Sequence, residues 1–226
     1  EDSGLEGVVL AMGANFGDLD NDGFADLYVG TGNPDFRSLL PNRMLRNDGL
    51  GRFQDVTSAG GFGHLQKGHG VAFGDLDNDG DQDIYQVMGG AYSGDIYYNA
   101  LYVNPGHSHR WVTLKLQGAV SSRDAIGARI EVRVHEDGRQ RVIHAVVGTG
   151  GSFGGSSLQQ EIGLRQATVI ESVAVRWPAT GLVEHFVGVG LDRAWLLREG
   201  EGRAIPLTRN AVDLAENKET GGYRHH

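Results

Sequence analysis

The chain contains 226 residues and carries a formal net charge of −9, from 20 basic and 29 acidic side chains. This excess of negative charge argues against a nucleic acid or an anionic membrane as the partner, because phosphate groups would be repelled. The absence of cysteine excludes disulfides and thiolate chemistry. No stretch approaches the roughly 18 apolar residues that a membrane-spanning helix needs. The first residue is Glu1 and not methionine, so we expect the chain to be processed or to be part of a longer protein.

The first predicted elements surround an acidic motif that occurs twice. It reads FGDLDNDGFADLY at residues 16–28 and FGDLDNDGDQDIY at residues 73–85. With an offset of 57 positions, called the repeat offset below, residues 13–28 and 70–85 are identical at 11 of 16 positions. Repeats of this length usually form stacked units such as propeller blades. Short apolar runs beside each motif predict strands, and NDGLG within residues 44–56 predicts a hairpin between the two copies.

Within each motif, carboxylates occupy positions 1, 3, 5 and 9, and glycine occupies position 6. The side chains at these positions of a curled loop point toward one place, where a cation can bind. Hard oxygen donors in this number suit Ca²⁺ better than Mg²⁺. An EF-hand is excluded because Val29 and Gln86 stand where its bidentate glutamate is needed. Solvated acidic turns are the alternative, which the in-phase repetition disfavours. The predicted ligands of two calcium sites are Asp18, Asp20, Asp22 and Asp26 with the carbonyl of Phe24, and Asp75, Asp77, Asp79 and Asp83 with the carbonyl of Asp81.

After residue 109 the pattern changes to a series of alternating strands joined by short turns, typical of a β-sandwich or barrel. The stretch after residue 201 is polar and lacks strand alternation. We expect it to be extended, draped over the domain or partly disordered, with room for one short helix near residues 210–217. The predicted domains are blades at 1–106, a β-domain at 107–201 and a polar tail at 202–226. Two blades cannot close a propeller, so we expect either that further blades precede Glu1 or that another domain or another chain covers the open strand edges.

The repeated FGDLDNDG motif resembles the FG-GAP/VCBS repeats of integrin α-subunit propellers, and LRNDGLGRFQDVT resembles the hairpin that links such repeats in bacterial proteins. HRWVTLKLQGAVSSRDAIGARIEV, followed by GGSFGGSSLQQEIGL and VAVRWPATG, resembles the ASPIC/UnbV domain of the cartilage acidic protein family. The resemblance implies an all-β fold, with a partial propeller of about two FG-GAP blades before a β-sandwich-like domain. It also implies the same eight aspartates as calcium ligands, and an exported or cell-surface protein without well-defined chemistry.

The predicted function is a calcium-stabilised, secreted, periplasmic or cell-surface module that binds protein or glycan, or self-associates, without catalysis. The alternatives are a polysaccharide hydrolase or lyase fragment and a non-catalytic carbohydrate-binding module. An enzyme would need carboxylates that converge outside the calcium loops, and the candidates are Asp95, Glu161, Glu171 and Glu184.

Other residues suggest chemistry more weakly. For His64, His69, His107 and His109 the alternatives are transition-metal binding and ordinary hydrogen bonding, and hydrogen bonding is favoured. His225 and His226 resemble the remnant of a tag. The glycine-rich GTGGSFGGSS at 148–157 lacks the spacing and the helix of a nucleophile elbow. For Arg123, Asp124 and Arg129 the alternatives are a surface recognition loop and a loop-fixing ion pair, and the ion pair is favoured. The cluster of Tyr92, Tyr97, Tyr98 and Tyr102 is expected to fill the seam between the domains, with an exposed binding surface as the alternative.

Overall fold

The computed structural model describes residues 3–5, 7, 9–33, 35, 37, 39–90 and 92–214. These residues form strands and loops without a helix, so the predicted all-β class is confirmed. We find no helix in them that is long and apolar enough to cross a membrane. The strands are β1 (Ala11–Gly17), β2 (Asp26–Thr31), β3 (Arg43–Asn47), β4 (Phe53–Asp55), β5 (Gly68–Gly74), β6 (Asp83–Met88), β7 (Ala100–Tyr102), β8 (Arg110–Gln117), β9 (Arg129–Glu136), β10 (Arg139–Val146), β11 (Gln160–Arg165), β12 (Val169–Arg176), β13 (Val183–Phe186), β14 (Ala194–Arg198) and β15 (Ala204–Leu207).

The first seven strands form two antiparallel blades, the first from β1 to β4 and the second from β5 to β7. The repeat also holds for individual pairs of residues on neighbouring strands. Tyr28 pairs with Met44 in the first blade, and Tyr85 pairs with Leu101 at the repeat offset in the second. The structural repeat therefore extends to β3 and β7, beyond the segment in which sequence identity reveals it.

The second blade has three strands because the chain leaves it where a fourth strand would lie. At the repeat offset, the counterpart of β4 is the start of β8. That strand pairs with β11 and β14 in another sheet and not with β7. Among the described residues, the outer edge of β7 consequently has no partner strand.

A β-sandwich-like domain follows the blades. One sheet has the order β10-β9-β12-β13 and the other has the order β11-β8-β14-β15, in which only β8 and β14 pair in parallel. The apolar faces of these strands share one buried cluster that includes Trp177 and Phe186. The architecture predicted from the sequence, a partial propeller followed by a β-sandwich-like domain, is confirmed.

A separate apolar core joins the two blades. Alternation along β2 and β5 turns Tyr28 and Phe73 toward each other's blade, because successive side chains of a strand point to opposite faces. Burial of each of these large side chains stabilises the packing of the two blades by about 1.5–3 kcal/mol. The buried members of this core are Tyr28, Met44, Phe62, Val71, Phe73 and Ile84.

The glycine-rich segment 148–156, called the glycine loop below, fastens the sandwich to the inner strands of both blades. Ser152 exchanges two backbone hydrogen bonds with Ala14 of β1, at 2.8 and 3.1 Å. Asn15 donates from Nδ2 to the Val71 carbonyl at 3.1 Å and to Ser156 Oγ at 3.0 Å. The segment that superficially resembled a nucleophile elbow therefore has a structural role.

Some local predictions are wrong. No strand is predicted in the polar tail from the sequence, but β15 lies there and pairs with β14. Residues 210–214 are not helical, while the rest of the predicted helix lies outside the described residues, as do His225 and His226. Within the described part of the chain no ion pair joins Arg123 to Asp124.

The loop that contains Arg123 is held by a buried carboxylate instead. Glu199 Oε2 accepts three amide hydrogens, from Ala119 at 2.9 Å, Val120 at 2.9 Å and Ser121 at 2.7 Å. Burial alone would raise the pKa of the Glu199 carboxyl, but the Ser121, Ala119 and Val120 amides outweigh it and lower that pKa to about 2. The charged form of Glu199 is thus part of the folded domain.

We expect Gly154→Ala to lower the free energy of unfolding by about 1–3 kcal/mol, through overpacking. An added Cβ at Gly154 would lie 1.9 Å from the Val71 carbonyl oxygen, which is backbone and cannot move aside alone. Gly74→Ala is the matched control, because its methyl group would meet no heavy atom within 4 Å. Equal denaturant midpoints for the two variants would contradict the docking described for the glycine loop.

We expect Glu199→Gln to cost about 2 kcal/mol at neutral pH, because one amide oxygen replaces two carboxylate oxygens. The folded-state pKa lies below the ordinary value of 4.5, so this contribution is present above pH 4.5 and disappears as the pH falls toward about 2. Urea unfolding of both proteins across this range measures it. The difference between them should shrink over that window, and a constant difference would refute the assignment.

Candidate metal centres in the acidic loops

Each acidic motif forms the turn between the first two strands of its blade. The first acidic loop, residues 18–26, connects β1 to β2, and the second acidic loop, residues 75–83, connects β5 to β6. Both use left-handed backbone at positions 4 and 6, with φ of 54° at Asn21, 87° at Gly23, 63° at Asn78 and 96° at Gly80. Asparagine and glycine tolerate this conformation, which curls the loop tightly.

The curl brings three aspartates together in each loop. One carboxylate oxygen from each member lies within 4.8 Å of the others. Oxygen atoms that share a Ca²⁺ at roughly 2.3–2.6 Å have separations in this range, so either group could hold a metal ion. The groups are Asp18, Asp20 and Asp22 in the first acidic loop, and Asp75, Asp77 and Asp79 in the second.

The electrostatic cost of this arrangement is visible in the first acidic loop. Burial, together with the nearby charge of Asp22, raises the pKa of the Asp18 carboxyl to about 8. Burial likewise raises the pKa of Asp26 to about 7, although two backbone amides oppose the shift. Without a cation, the folded loop therefore disfavours the ionised form of its own acids.

Each loop also contains a buried carboxylate oxygen without a hydrogen-bond partner among the described residues. These atoms are Asp20 Oδ1 and Asp75 Oδ1. Buried polar atoms are almost always paired, so each unpaired oxygen needs a physical explanation. A ligand position facing a cation is such an explanation, and it arises independently in both repeats.

One arginine lies beside each group. Arg46 contacts Asp20 at 2.6 Å, and Arg209 contacts Asp75 at 2.9 Å. The segment around Arg209 lies on the second acidic loop, because the Val212 amide donates to the Asp77 carbonyl at 2.7 Å. Two charges of +1 only partly balance six carboxylates, so both loops keep an excess of negative charge.

The fourth aspartate of each loop has a different role from the first three. Asp26 accepts the amides of Leu19 at 3.0 Å and Asn47 at 2.7 Å, one on each oxygen. Asp83 repeats the arrangement with Leu76 and Asn104, at 3.0 and 2.9 Å. Asp26 ties its loop to the last residue of β3, and Asp83 ties its loop to the segment just after β7. Neither residue belongs to the groups of three. Their predicted role as additional ligands stays a prediction.

The hydrogen bonds that Asp26 and Asp83 accept from Asn47 and Asn104 are called the clamp below. The two asparagines were not predicted from the sequence. Asn47 and Asn104 are related by the repeat offset, and each side chain accepts the amide of a glycine two positions later, Gly49 or Gly106. The signal was present as Asn-Asp-Gly and Asn-Pro-Gly at equivalent positions of the two repeats. It was overlooked because β3 and β7 share almost no other identity.

Position 7 of the two loops differs. The side chain of Asp81 accepts a hydrogen bond from Asn21 Nδ2 at 2.6 Å and thereby links the two acidic loops. Its pKa is raised to about 6, first by burial and then by the charge of Asp79. That the carbonyls of Phe24 and Asp81 bind metal stays a prediction.

The sandwich contacts both acidic loops. The Gly163 amide donates to Asp18 Oδ2 at 3.1 Å, and Arg141 Nη1 donates to the Asp22 carbonyl at 2.7 Å. At the second loop, the Trp111 ring lies so close to Gly80 that an added Cβ would be 1.9 Å from Cε2. The candidate metal centres are thus part of the contact between the two halves of the chain.

Three of the four histidines considered make hydrogen bonds through their rings. His64 Nε2 contacts the Tyr97 hydroxyl at 3.2 Å, and His69 Nε2 contacts the Gly89 carbonyl at 2.7 Å. His109 Nδ1 contacts the Asp20 carbonyl. The two metal-competent groups found among the described residues contain aspartates alone.

The four tyrosines of the predicted cluster lie in two different environments. Tyr92, Tyr97 and Tyr98 are exposed on the loop between β6 and β7, so the expectation that they fill a domain seam is wrong. This loop lies outside the strand pairing, and no packed layer of the described residues covers it. Only Tyr102 packs in the core between the blades, with its ring 6.1 Å from that of Tyr28.

The four carboxylates considered for catalysis have separate partners. Asp95 pairs with Lys67 at 2.8 Å, and Glu161 accepts Gln82 Nε2 at 2.9 Å. Glu171 contacts Gln140, while Glu184 accepts the Gly200 amide. These contacts place them in four different local networks, and none favours a shared site.

The two-blade repeat and the sandwich seated on its acidic loops define a propeller-type repeat protein with an appended β-domain. The FG-GAP-like repeat family matches residues 18–85, and the ASPIC and UnbV family matches residues 118–204. The predicted architecture is thereby confirmed, while the closer resemblance to the cartilage acidic protein family stays a prediction. Domains of these kinds suggest extracellular-type propeller modules, and FG-GAP repeats commonly bind calcium. A search of curated proteins gave no match.

We expect Asp26→Asn to lower the free energy of unfolding by about 2 kcal/mol in EDTA as well as in Ca²⁺. The asparagine NH₂ group would face one of the two amides that the carboxylate accepts. Asp20→Asn is the contrasting variant, because in EDTA it removes a repelling charge. Thermal melts in both buffers compare the two variants, and an Asp26→Asn protein with wild-type stability in EDTA would contradict the clamp.

Proposed function

We propose that this protein is a calcium-stabilised extracellular or cell-surface module that acts by binding or assembly and not by catalysis. The observation that carries the proposal is the pair of aspartate groups, each with a buried carboxylate oxygen that lacks a hydrogen-bond partner among the described residues. The group of three aspartates recurs at the repeat offset, and each loop has an unpaired oxygen, although at different loop positions, so a chance origin is hard to sustain. The match to the FG-GAP-like repeat supports the choice of metal.

The donor set favours calcium over other ions. Three carboxylates per loop are hard oxygen ligands, and cysteine is absent from the chain. The fourth aspartate and the position-7 carbonyl would complete the shell, since an oxygen that accepts one amide retains a second lone pair. The proposed shells are Asp18, Asp20, Asp22, Phe24 and Asp26 for one site, and Asp75, Asp77, Asp79, Asp81 and Asp83 for the other.

Calcium would act on the structure and not on a substrate. A divalent cation would offset the burial and the repulsion from Asp22 that together raise the pKa of Asp18, and would fix the loop that the Gly163 amide and Arg141 contact. It would thereby stabilise the blade and its contact with the sandwich together. The proposed role of calcium is to hold the blades and the sandwich in a fixed position relative to each other.

The proposed partners are proteins or glycans outside the cell. A formal charge of −9 opposes nucleic acid, and FG-GAP-like repeats are typically extracellular. Tyr92, Tyr97 and Tyr98 are exposed on one loop, and such side chains combine apolar contact area with a polar hydroxyl. They favour a non-catalytic carbohydrate-binding module as the second candidate.

We expect Ca²⁺ to raise the melting temperature by roughly 5–10 °C for each occupied site at about 100 times its Kd, because it binds only the folded loops. Asp20→Asn and Asp77→Asn should each remove part of this shift, and the double variant should remove most of it. Mg²⁺ should give a much smaller shift. Calorimetric melts in EDTA, Mg²⁺ and Ca²⁺ measure the effect.

Asp137→Asn is the matched control, because it removes one carboxylate from the β9–β10 turn, where φ is 50° and asparagine is tolerated. This variant should retain the full response. Identical melting of the wild-type protein in EDTA and Ca²⁺, together with no heat of binding on titration, would overturn the proposal.

A further inference from the structure

The segment that follows β15 lies against the second acidic loop. Residues 208–212 of this segment are called the strap below. Asn78 Nδ2 of the loop donates to the Asn210 carbonyl of the strap at 2.9 Å. The Val212 amide of the strap donates to the Asp77 carbonyl of the loop at 2.7 Å. Single hydrogen bonds contribute little net stability, so these two contacts alone would hold the strap only weakly.

The third contact of the strap is an ion pair with a member of the candidate metal group. Arg209 Nη1 lies 2.9 Å from Asp75 Oδ2, and the Asp75 side chain is 0% exposed. Arg209 is the one partly buried residue of the strap, and the other four are exposed. Because the strap gains little from apolar burial, its docking depends mainly on this ion pair.

The two oxygens of the Asp75 carboxylate have different environments. Oδ2 accepts a hydrogen bond from Arg209, whereas Oδ1 is buried and has no hydrogen-bond partner among the described residues. A cation bound at Oδ1 would therefore lie beside a guanidinium group that is bound to the same carboxylate. Two positive charges so close together repel each other, and burial keeps water and salt from screening the repulsion.

The first acidic loop differs from the second at this position. Asp18, the counterpart of Asp75 at the repeat offset, accepts an uncharged backbone amide from Gly163 at 3.1 Å. The arginine beside the first loop, Arg46, pairs with a different aspartate, and its side chain is 48% exposed, compared with 19% for Arg209. Water screens an exposed charge more effectively than a buried one. An arginine therefore opposes a bound cation more strongly in the second loop than in the first.

We propose that Arg209 is an internal cation of the second acidic loop that competes there with calcium, so that calcium binding loosens the strap. The effect is reciprocal, because docking of the strap must lower the calcium affinity by the same factor by which calcium weakens the docking. This inference rests on the proposed calcium function and deepens it, since it names the residue that sets the affinity of one of the two sites.

Calcium titration by calorimetry tests the effect on affinity. All variants are made in an Asp20→Asn parent protein, in which the first loop lacks one proposed ligand and the second loop should be the stronger site. Arg209→Gln removes the charge but keeps a hydrogen-bond donor, and it should raise the calcium affinity by roughly tenfold. Arg209→Lys keeps the charge and should retain the affinity of the parent. Arg203→Gln is the matched control, because it removes the same charge from an exposed residue just before β15 and should leave the affinity unchanged.

Hydrogen exchange of a peptide that covers the strap tests the effect on docking. In the parent protein, the amides of this peptide should exchange faster in saturating Ca²⁺ than in EDTA, whereas stabilisation of the rest of the molecule should slow exchange elsewhere. Arg209→Gln should lack this acceleration. The glycine loop is the internal reference, since the backbone hydrogen bonds between Ser152 and Ala14 involve neither acidic loop.

A higher affinity in Arg209→Gln, together with faster exchange of the strap in Ca²⁺, supports the proposal. An equal or lower affinity in that variant overturns it, as does an Arg209→Lys protein that matches Arg209→Gln or a strap that calcium protects from exchange. These three results leave calcium stabilisation standing. The absence of any heat of binding, also in the protein with both loops intact, overturns calcium stabilisation as well. Thermal melts in EDTA verify that each variant folds.

Discussion

The two acidic loops bring several carboxylates close together, and the repulsion among these carboxylates is the constraint that the rest of the structure must meet. Backbone amides bind Asp18 from within its own loop and from the sandwich, yet burial still raises its pKa to about 8. Local hydrogen bonds are therefore insufficient to stabilise the ionised loop. A bound divalent cation is the physical agent that could offset this repulsion, and the loops it would rigidify are those on which the second half of the chain sits.

The repeat offset explains more of the molecule than the acidic motif alone. It relates β1, β2 and β3 to β5, β6 and β7 pair by pair, and it relates the clamp of Asp26 and Asn47 to that of Asp83 and Asn104. The repeat ends where β8 takes the place of a fourth strand and enters the sandwich. A single change of strand partner thus ends the series of repeated strands and begins the sandwich domain.

Local patterns predicted the elements that local chemistry determines. Alternation located most strands of the sandwich, Asn-Asp-Gly located the β3–β4 hairpin, and the spacing of aspartates located both groups of three. Contacts between distant segments were not predictable in this way. The capture of a loop by Glu199 and the docking of the glycine loop on β1 depend on partners far away in the sequence, and the exposure of Tyr97 depends on the absence of a covering layer among the described residues. The strand β15 was missed because its four residues gain their order by pairing with β14 and not from their own pattern.

The two halves of the chain meet at two kinds of contact with different physical origins. The glycine loop fits against β1 and β5 by close backbone approach, which only glycine permits at Gly154 and which does not depend on ions. The contacts of Gly163 and Arg141 with the first acidic loop instead depend on a loop whose shape responds to charge. Removal of a cation would then weaken one of the two contacts and leave the other, so the sandwich would loosen at the loops while the glycine loop remained docked. Calcium in this architecture would tune the rigidity of a preformed junction between the two halves of the chain.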